Sequence, residues 1–165
     1  MRQPMPERTL ILLRHAKSDW SGHDVDLARP LAKRGRRQAP EAGRWLAANI
    51  DSIDLAVVSP AARARTTWDL VAAELSFTPS TLVDDRVYAA SEDDLLIVVR
   101  ELDDEAKTVV LVGHNPGIED LASMLTDQLI SMPTSALAVM TVLGPWSAAG
   151  HHAALLRHSG RPPSP

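Results

Sequence analysis

The sequence predicts one α/β domain of three layers, an α/β/α sandwich in which helices cover both faces of a mostly parallel sheet. Short, continuously apolar runs occur along the chain, as is typical of strands buried on both faces. Longer segments with apolar residues at helical spacing separate these runs. Strands that alternate with helices favour a parallel sheet, and 165 residues fit a single domain.

The strand predictions rest on apolar runs bounded by polar or turn residues. The clearest runs cover residues 9–13, 55–58 and 108–112. Two later runs, at 136–143 and 153–156, predict further strands, and Leu82 with Val83 predicts a short edge strand.

Four helices are predicted between these strands, over residues 32–50, 60–75, 92–102 and 116–129. Pro40 lies inside the first and predicts a kink or a later start, because proline has no N–H to donate. In the last helix, Ile118, Leu121, Leu125 and Leu129 form a stripe that we expect to face inward.

The ends of the chain are predicted to lie outside the domain. Residues 1–8 are expected to form a flexible N-terminal arm, and residues 159–165, with three prolines, a flexible tail. The domain itself is predicted to span residues 9–158.

Composition excludes several classes of function. A net charge of −4 and a pI near 5.8 argue against a nucleic-acid binder, which is usually basic. The chain has no cysteine, so it has no thiolate nucleophile and no cysteine-based zinc site. No apolar run is long enough to cross a membrane, and the N-terminus lacks the apolar core of a signal peptide, so we expect a cytoplasmic protein.

Polar residues suited to phosphate chemistry follow three of the predicted strands. Arg14 and His15 come after the first strand, Arg63 follows the second, and His114 with Asn115 follows the third. The carboxyl ends of parallel strands meet at one edge of a sheet, where ligands bind. We therefore expect these side chains to converge on one pocket.

Two of these loops lead sharply into helices. Ser59-Pro60 and Asn115-Pro116 each resemble an N-cap residue followed by proline at the first helical position. Helix N-termini favour anions, because their first N–H groups have no partner within the helix. The predicted pocket is therefore an anion site built around phosphate.

The residue types indicate how such a pocket could react. A neutral imidazole is a good nucleophile toward phosphorus, which assigns that role to His15. A backbone carbonyl that accepts from Nδ1–H would leave Nε2 to attack, and nearby cations would disfavour protonation of the ring. Arg14 and Arg63 would clamp the phosphoryl oxygens, with Asn115 as a further phosphate-binding residue. His114 would donate to an oxygen in the transition state, and neither a metal nor another cofactor is required.

These residues also occur in patterns that resemble a known family. The patterns are Arg14-His15-Ala16, Arg29-Pro30-Leu31, Ser59-Pro60-x-x-Arg63-Ala64-x-x-Thr67 and Gly113-His114-Asn115-Pro116. In this order they resemble the histidine phosphatase superfamily, and within it the SixA-like phosphohistidine phosphatases. The resemblance implies a phosphoglycerate mutase-like fold, His15 as nucleophile, Arg14 and Arg63 as phosphate ligands, and His114 as part of the pocket.

The chain departs from the family pattern in two places. Ala16 replaces the usual glycine but keeps the backbone carbonyl that orients His15. Too few residues separate Arg63 from His114 for a large cap insertion, and the possible acids there, notably Glu92 and Asp93, do not stand out. A weak acid suits a substrate whose leaving group needs little help, such as phosphohistidine.

Several alternatives remain open from the sequence. The expected partner is a phosphorylated protein or a small phosphorylated molecule, and a sugar phosphate or nucleotide phosphatase would use the same residues. A catalytically silent phosphate-binding module is another possibility, and a metal-dependent phosphoesterase a third. No metal site is predicted, since His151, His152 and His158 have no carboxylate at ligand spacing, and Arg157-His158 has no partner motifs. The chain is expected to be a monomer or a weak homo-oligomer that binds neither nucleic acid nor membrane.

Overall fold

The computed structural model describes residues 7–163, which form a six-stranded sheet between two layers of helices. The strands are β1 (Glu7–Arg14), β2 (Leu55–Val58), β3 (Ser80–Val83), β4 (Thr108–Gly113), β5 (Leu137–Leu143) and β6 (Ala154–Gly160). The helices are α1 (Lys33–Asn49), α2 (Ala62–Ala72), α3 (Glu92–Arg100) and α4 (Gly117–Thr126). Every predicted strand and helix is present, and α1 begins well before Pro40 rather than after it.

The strand order across the sheet is β3-β2-β4-β1-β5-β6. The first four are parallel to their neighbours, whereas β5 runs antiparallel to β1 and β6 antiparallel to β5. In register, Arg14 lies opposite Gly113, and Val58 lies opposite Val112. The last residues of β1, β2 and β4 are therefore level at one edge, which brings the three predicted loops together.

Alternate residues of the central strands feed two separate cores. Leu10 and Leu111 pack on one face with the apolar residues of α3 and α4, such as Ile118. Ile11 and Val110 pack on the other face with those of α1 and α2. The continuously apolar runs arise because helices cover both faces of these strands.

The first and last strands extend beyond the predicted domain boundaries. β1 begins at Glu7, and the buried Arg8 donates to the carbonyl of Gly144 at 2.5 Å and pairs with Asp104 at 3.3 Å. At the other end, β6 continues to Gly160. Only residues 1–6 of the predicted arm and 164–165 of the predicted tail lie outside the described residues.

The prediction for Leu129 is wrong. Its side chain is 99% exposed, whereas Ile118, Leu121 and Leu125 are fully buried as expected. The helix ends at Thr126, and Asp127 adopts a left-handed conformation with φ of 54°. The helical stripe is thus broken before Leu129.

Within residues 7–163, no helix is both long enough and apolar enough to cross a bilayer.

Candidate active site

His15 lies immediately after β1 and is held from both sides. Its backbone N–H donates to the carbonyl of Gly113 on the neighbouring strand at 3.1 Å. Its ring Nδ1 lies 2.7 Å from the carbonyl of Ala16, so Nδ1 carries the proton and donates. The N–H of Ala16 donates in turn to Oγ1 of the buried Thr67 in α2 at 3.0 Å. This chain of contacts orients the ring and leaves Nε2 as the reactive nitrogen.

The ring of His15 is neutral at physiological pH. Burial lowers its pKa to about 4, and the cationic neighbours Arg63, Arg14 and Arg29 add to the effect. The carbonyl of Ala16 acts in the opposite direction but does not compensate. The sequence predicts that the arginines lower the pKa of His15. The larger contribution to the lowered pKa is desolvation, because His15 is only 8% exposed.

Arg63 occupies the first turn of α2 and is anchored by Asp26. Its guanidinium donates to the carbonyl of Asp26 at 2.7 Å and to a carboxylate oxygen of the same residue at 3.1 Å. Arg29 binds the other carboxylate oxygen at 2.7 Å, and the hydroxyl of Tyr88 also donates to Asp26. The hydrogen bond from Tyr88, followed by those from Arg63 and Arg29, holds the pKa of Asp26 well below its usual range. Asp26 is therefore an ionised carboxylate that holds two buried arginines in position.

His114 faces His15 from the end of β4. The two ring centroids are 5.1 Å apart, and the Tyr88 ring meets His114 edge-on at 5.7 Å. Its Nε2 lies 2.7 Å from Oγ of Ser59, which joins the second and third loops. Burial, followed by the neighbouring His15 and Arg63, lowers the pKa of His114 to about 3. The ring is neutral and has one N–H to offer.

The predicted N-caps are wrong for both Ser59 and Asn115. The cap residue of α2 is Ala61 and that of α4 is Pro116, and neither cap makes a side-chain hydrogen bond. Ser59 instead binds His114, and the Asn115 amide donates to Glu119 at 3.2 Å and to the carbonyl of Met132 at 2.9 Å. Both polar side chains are used to fix the loops, because β2 and β4 end beside each other.

A cavity of about 220 Å³ lies where these loops meet. It is lined by Arg14, His15, Lys17, Ser18, Trp20, Arg29, Arg63, His114, Asn115 and Thr134. All five residues predicted as catalytic or phosphate-binding thus line one pocket. The amide hydrogens of Asn115 are already bonded to protein, so its predicted contact with phosphate is not available in this arrangement.

The two possible acids are not brought to this pocket. Glu92 and Asp93 lie in the first turn of α3, after the Ser91 cap, and neither lines the cavity. Among the described residues, the lining of the cavity includes no Asp or Glu.

Four buried polar atoms of residues that line the pocket have no hydrogen-bond partner among the described residues. Three belong to donor groups, Nε of Arg14, Nε of Arg63 and Nδ1 of His114, and the fourth is the acceptor Oδ1 of Asn115. Buried polar groups are normally hydrogen-bonded, so donors left over in a pocket indicate that a ligand supplies the acceptors. Two arginines and a neutral histidine suit an anion with several oxygens.

Sequence reasoning missed Asp26 and Tyr88 and gave Arg29 no role. Arg29 belongs to the motif Arg29-Pro30-Leu31, and Asp26 lies three residues before it, within an ion pair's reach. Tyr88, the single tyrosine of the chain, follows a short 3₁₀ turn that no periodic pattern indicates.

Across residues 7–163, no group of three or more His, Asp or Glu side chains is arranged to hold a metal ion. Of the three late histidines, His152 pairs with Asp127 at 3.1 Å, and His158 stacks on Trp45.

Comparisons with known proteins agree with this geometry. The model of the histidine phosphatase superfamily (branch 1) matches residues 10–87. An uncharacterized protein of Mycobacterium tuberculosis (strain ATCC 25618 / H37Rv) is 34% identical over 146 residues, which cover 82% of this chain and 90% of that protein. An uncharacterized chloroplastic protein of Arabidopsis thaliana is 29% identical over 147 residues, or 83% and 67% of the two chains.

Two solved structures extend the likeness to the whole domain. A protein of Nakamurella multipartitia, provisionally described as the phosphohistidine phosphatase SixA, superimposes with a TM-score of 0.85 at 29% identity, over 98% of this chain and all of that one. A protein of Agrobacterium tumefaciens, with the same provisional description, superimposes with a TM-score of 0.78 at 28% identity, over 93% of this chain and 98% of that one. The chain therefore belongs to branch 1 of the histidine phosphatase superfamily, in its SixA-like group, and is a phosphatase.

Proposed function

We propose that this phosphatase hydrolyses phosphohistidine on a phosphorylated protein, by way of a covalent phosphohistidine intermediate on His15. The observation that carries the proposal is a pocket with an oriented, neutral nucleophile and three arginines but no carboxylic acid among its described lining residues. Such a pocket stabilises a transferring phosphoryl group and gives little help to the departing group.

In the first displacement, the lone pair on Nε2 of His15 attacks phosphorus. The P–N bond to the substrate's imidazole breaks, and its electron pair stays with that ring, which takes up a proton from solvent. Arg14 and Arg63 neutralise the phosphoryl oxygens, and Nδ1 of His114, which has no partner among the described residues, donates to one of them. Splitting the hydrolysis into two displacements lowers each barrier.

In the second displacement, a water molecule attacks the phosphoryl group on His15. The P–Nε2 bond breaks, its electron pair returns to the ring, and inorganic phosphate leaves with the oxygen of the water. The proton lost by the water passes to solvent. His15 is then neutral and oriented for a further cycle, because its Nδ1–H has remained bonded to Ala16 throughout.

The state of the carboxylate that contacts Arg63 and Arg29 supports the choice of phosphohistidine. Asp26 is bound by Tyr88 and by these two arginines, which favours its ionised form, so it has no proton to donate. An alkoxide leaving group needs such a proton. A phosphorylated imidazole needs no acid from the enzyme, because its other ring nitrogen takes up a proton from solvent near neutral pH and the ring then leaves as neutral imidazole.

The size of the pocket supports the choice of a protein substrate. Its volume of about 220 Å³ is below the roughly 300–1,000 Å³ that encloses a typical small ligand. A phosphoryl group and part of an imidazole fit, and the remainder of the substrate stays outside. A folded phosphoprotein of the cytoplasm meets this requirement.

Phosphate release from a purified histidine phosphocarrier protein, phosphorylated with phosphoramidate, tests the proposal. We expect release by the wild type in the presence of a chelator and none by His15→Ala. A panel of sugar phosphates and nucleotides serves as the comparison. Faster turnover of those esters than of the phosphoprotein would contradict the proposed substrate and favour a small-molecule phosphatase.

A further inference from the structure

The segment between β1 and α1 carries exposed apolar side chains beside the pocket. Trp20 is 69% exposed, Val25 72% and Leu27 46%, all within eight residues. Single exposed apolar residues are normal on protein surfaces, whereas a concentration beside a site marks a surface that binds something. We name these three residues the rim patch.

The rim patch is attached to the pocket at two points. Trp20 lines the cavity, and the guanidinium of Arg29 lies 3.5 Å from the centroid of its indole ring. Val25 and Leu27 flank Asp26, whose carbonyl and carboxylate bind Arg63. A ligand with its phosphoryl group on these arginines must therefore pass beside the rim patch.

Backbone hydrogen bonds also tie the segment together, which favours binding. At its ends, Asp19 N–H donates to the carbonyl of Pro30 at 2.8 Å, and Ser18 bridges to Leu31. In the middle, the N–H of Ala28 donates to the carbonyl of Val25 at 3.0 Å. A surface that is ordered before it binds loses less conformational entropy on binding.

We propose that the rim patch is the docking surface for the phosphorylated protein, a proposal that rests on the phosphohistidine phosphatase activity proposed above. The phosphoryl-imidazole enters the pocket, and apolar surface around the modified histidine packs on Trp20, Val25 and Leu27. The small volume of the pocket supports a protein as the occupant, because it leaves most of any substrate outside. Free phosphohistidine reaches the pocket without touching Val25 or Leu27.

The test compares two substrates on the double variant Val25→Ser/Leu27→Ser. For the phosphorylated histidine phosphocarrier protein, we expect kcat/KM to fall about tenfold or more, through KM, because two apolar contacts are lost. For free phosphohistidine, we expect kcat/KM to stay within about twofold of wild type, since the arginines and His15 are unchanged.

The matched control is Leu129→Ser/Leu155→Ser, which removes two exposed leucines away from the pocket. It should act on both substrates as the wild type does. An equal loss in control and rim variant would overturn the proposal, as would unchanged turnover of the phosphoprotein by the rim variant. In both cases wild-type activity on the phosphoprotein would leave the proposed function standing.

Two further outcomes would also count against the docking surface. Wild type that hydrolyses neither phosphohistidine substrate would overturn the proposed function itself, and the docking surface with it. Self-association of the wild type in sedimentation, abolished in Val25→Ser/Leu27→Ser, would show that the rim patch joins copies of this chain and would also overturn the proposal.

Discussion

The chain contains two Arg-His pairs, and only one of them lies in a reactive setting. Arg14-His15 ends β1, a central strand between β4 and β5. Arg157-His158 lies within β6, at the edge of the sheet, and follows the alternating exposure of a strand with one covered face. The same dipeptide thus lies at the carboxyl end of a buried central strand in one case and in the middle of an edge strand in the other.

The surroundings of the two histidines differ accordingly. Nδ1 of His15 donates to a backbone carbonyl, and three arginines contribute to the low pKa of its ring. His158 stacks on Trp45 at 4.1 Å, and its buried Nε2 has no partner among the described residues. The lesson is that an orienting acceptor and convergent cations make the nucleophile, and both depend on where the strand ends.

The largest expected effect separates the two histidines. His15→Ala should lower kcat by about 10⁴-fold or more, because it removes the nucleophile, while His158→Ala should stay within about twofold of wild type. Phosphate release from a phosphohistidine protein measures both. A large loss in His158→Ala would show that the edge pair takes part in catalysis, and retained activity in His15→Ala would refute the proposed mechanism.

The next largest effect concerns the arginines. Arg63→Ala should lower kcat/KM by about 10² to 10³-fold, because the buried guanidinium supports phosphate in both the ground state and the transition state. Arg157→Ala, the matched change in the edge strand, should be close to wild type, since among residues 7–163 its guanidinium donates only to Oγ1 of Thr141, at 3.5 Å. Steady-state kinetics measures kcat/KM for both variants. Equal losses of kcat/KM in the two would contradict the comparison.

Two threonines allow the same comparison on stability. Thr67→Val should lower the free energy of unfolding by about 1–3 kcal/mol, because the buried N–H of Ala16 loses its acceptor. Thr141→Val removes the long contact with Arg157. This substitution should change the free energy of unfolding by less than about 0.5 kcal/mol. Urea denaturation measures both variants. If Thr67→Val were as stable as Thr141→Val, the hydrogen bond to Ala16 would not support the loop.

The smallest expected effect is a dependence of stability on pH. The pKa of His15 is about 4 in the folded chain and near 6.5 when unfolded, so between these values the unfolded state binds more protons. Stability should therefore fall as pH drops from 6.5 to 4.5, and His15→Gln should reduce that fall by about 1 kcal/mol or more. Urea denaturation at several pH values tests this. Identical pH dependence in the two proteins would show that His15 is not buried in its neutral form.

The sequence was sufficient to predict the sheet, its helices and the five pocket residues. Continuous apolar runs reveal strands covered on both faces, and the residues after them must share an edge when the strands are parallel. Local patterns were misleading at Ser59 and Asn115, because serine and asparagine are typical N-cap residues. Each makes a tertiary contact instead, with His114 and with Met132, and such contacts depend on which loops become neighbours.

The contacts of Asp26 with its arginine and tyrosine partners could not be predicted, for a different reason. Asp26 and Tyr88 are far apart in sequence and lie in exposed, irregular segments, where no hydrophobic period constrains the chain. Only the folded chain brings them to Arg63. The stripe that ended at Leu129 failed because a left-handed residue at Asp127 stops the helix earlier than the apolar pattern suggests.

The hydrogen bond between Nδ1 of His15 and the carbonyl of Ala16 has a further consequence, for regiochemistry. A phosphorylated imidazole exists as two isomers, one with the phosphoryl group on the ring nitrogen near the side-chain stem (pros) and one with it on the far nitrogen (tele). Because the near nitrogen is committed to the backbone at 2.7 Å, only the tele isomer can form on His15. An isomer-specific antibody against tele-phosphohistidine would therefore detect the trapped enzyme, and an antibody against the pros isomer would not.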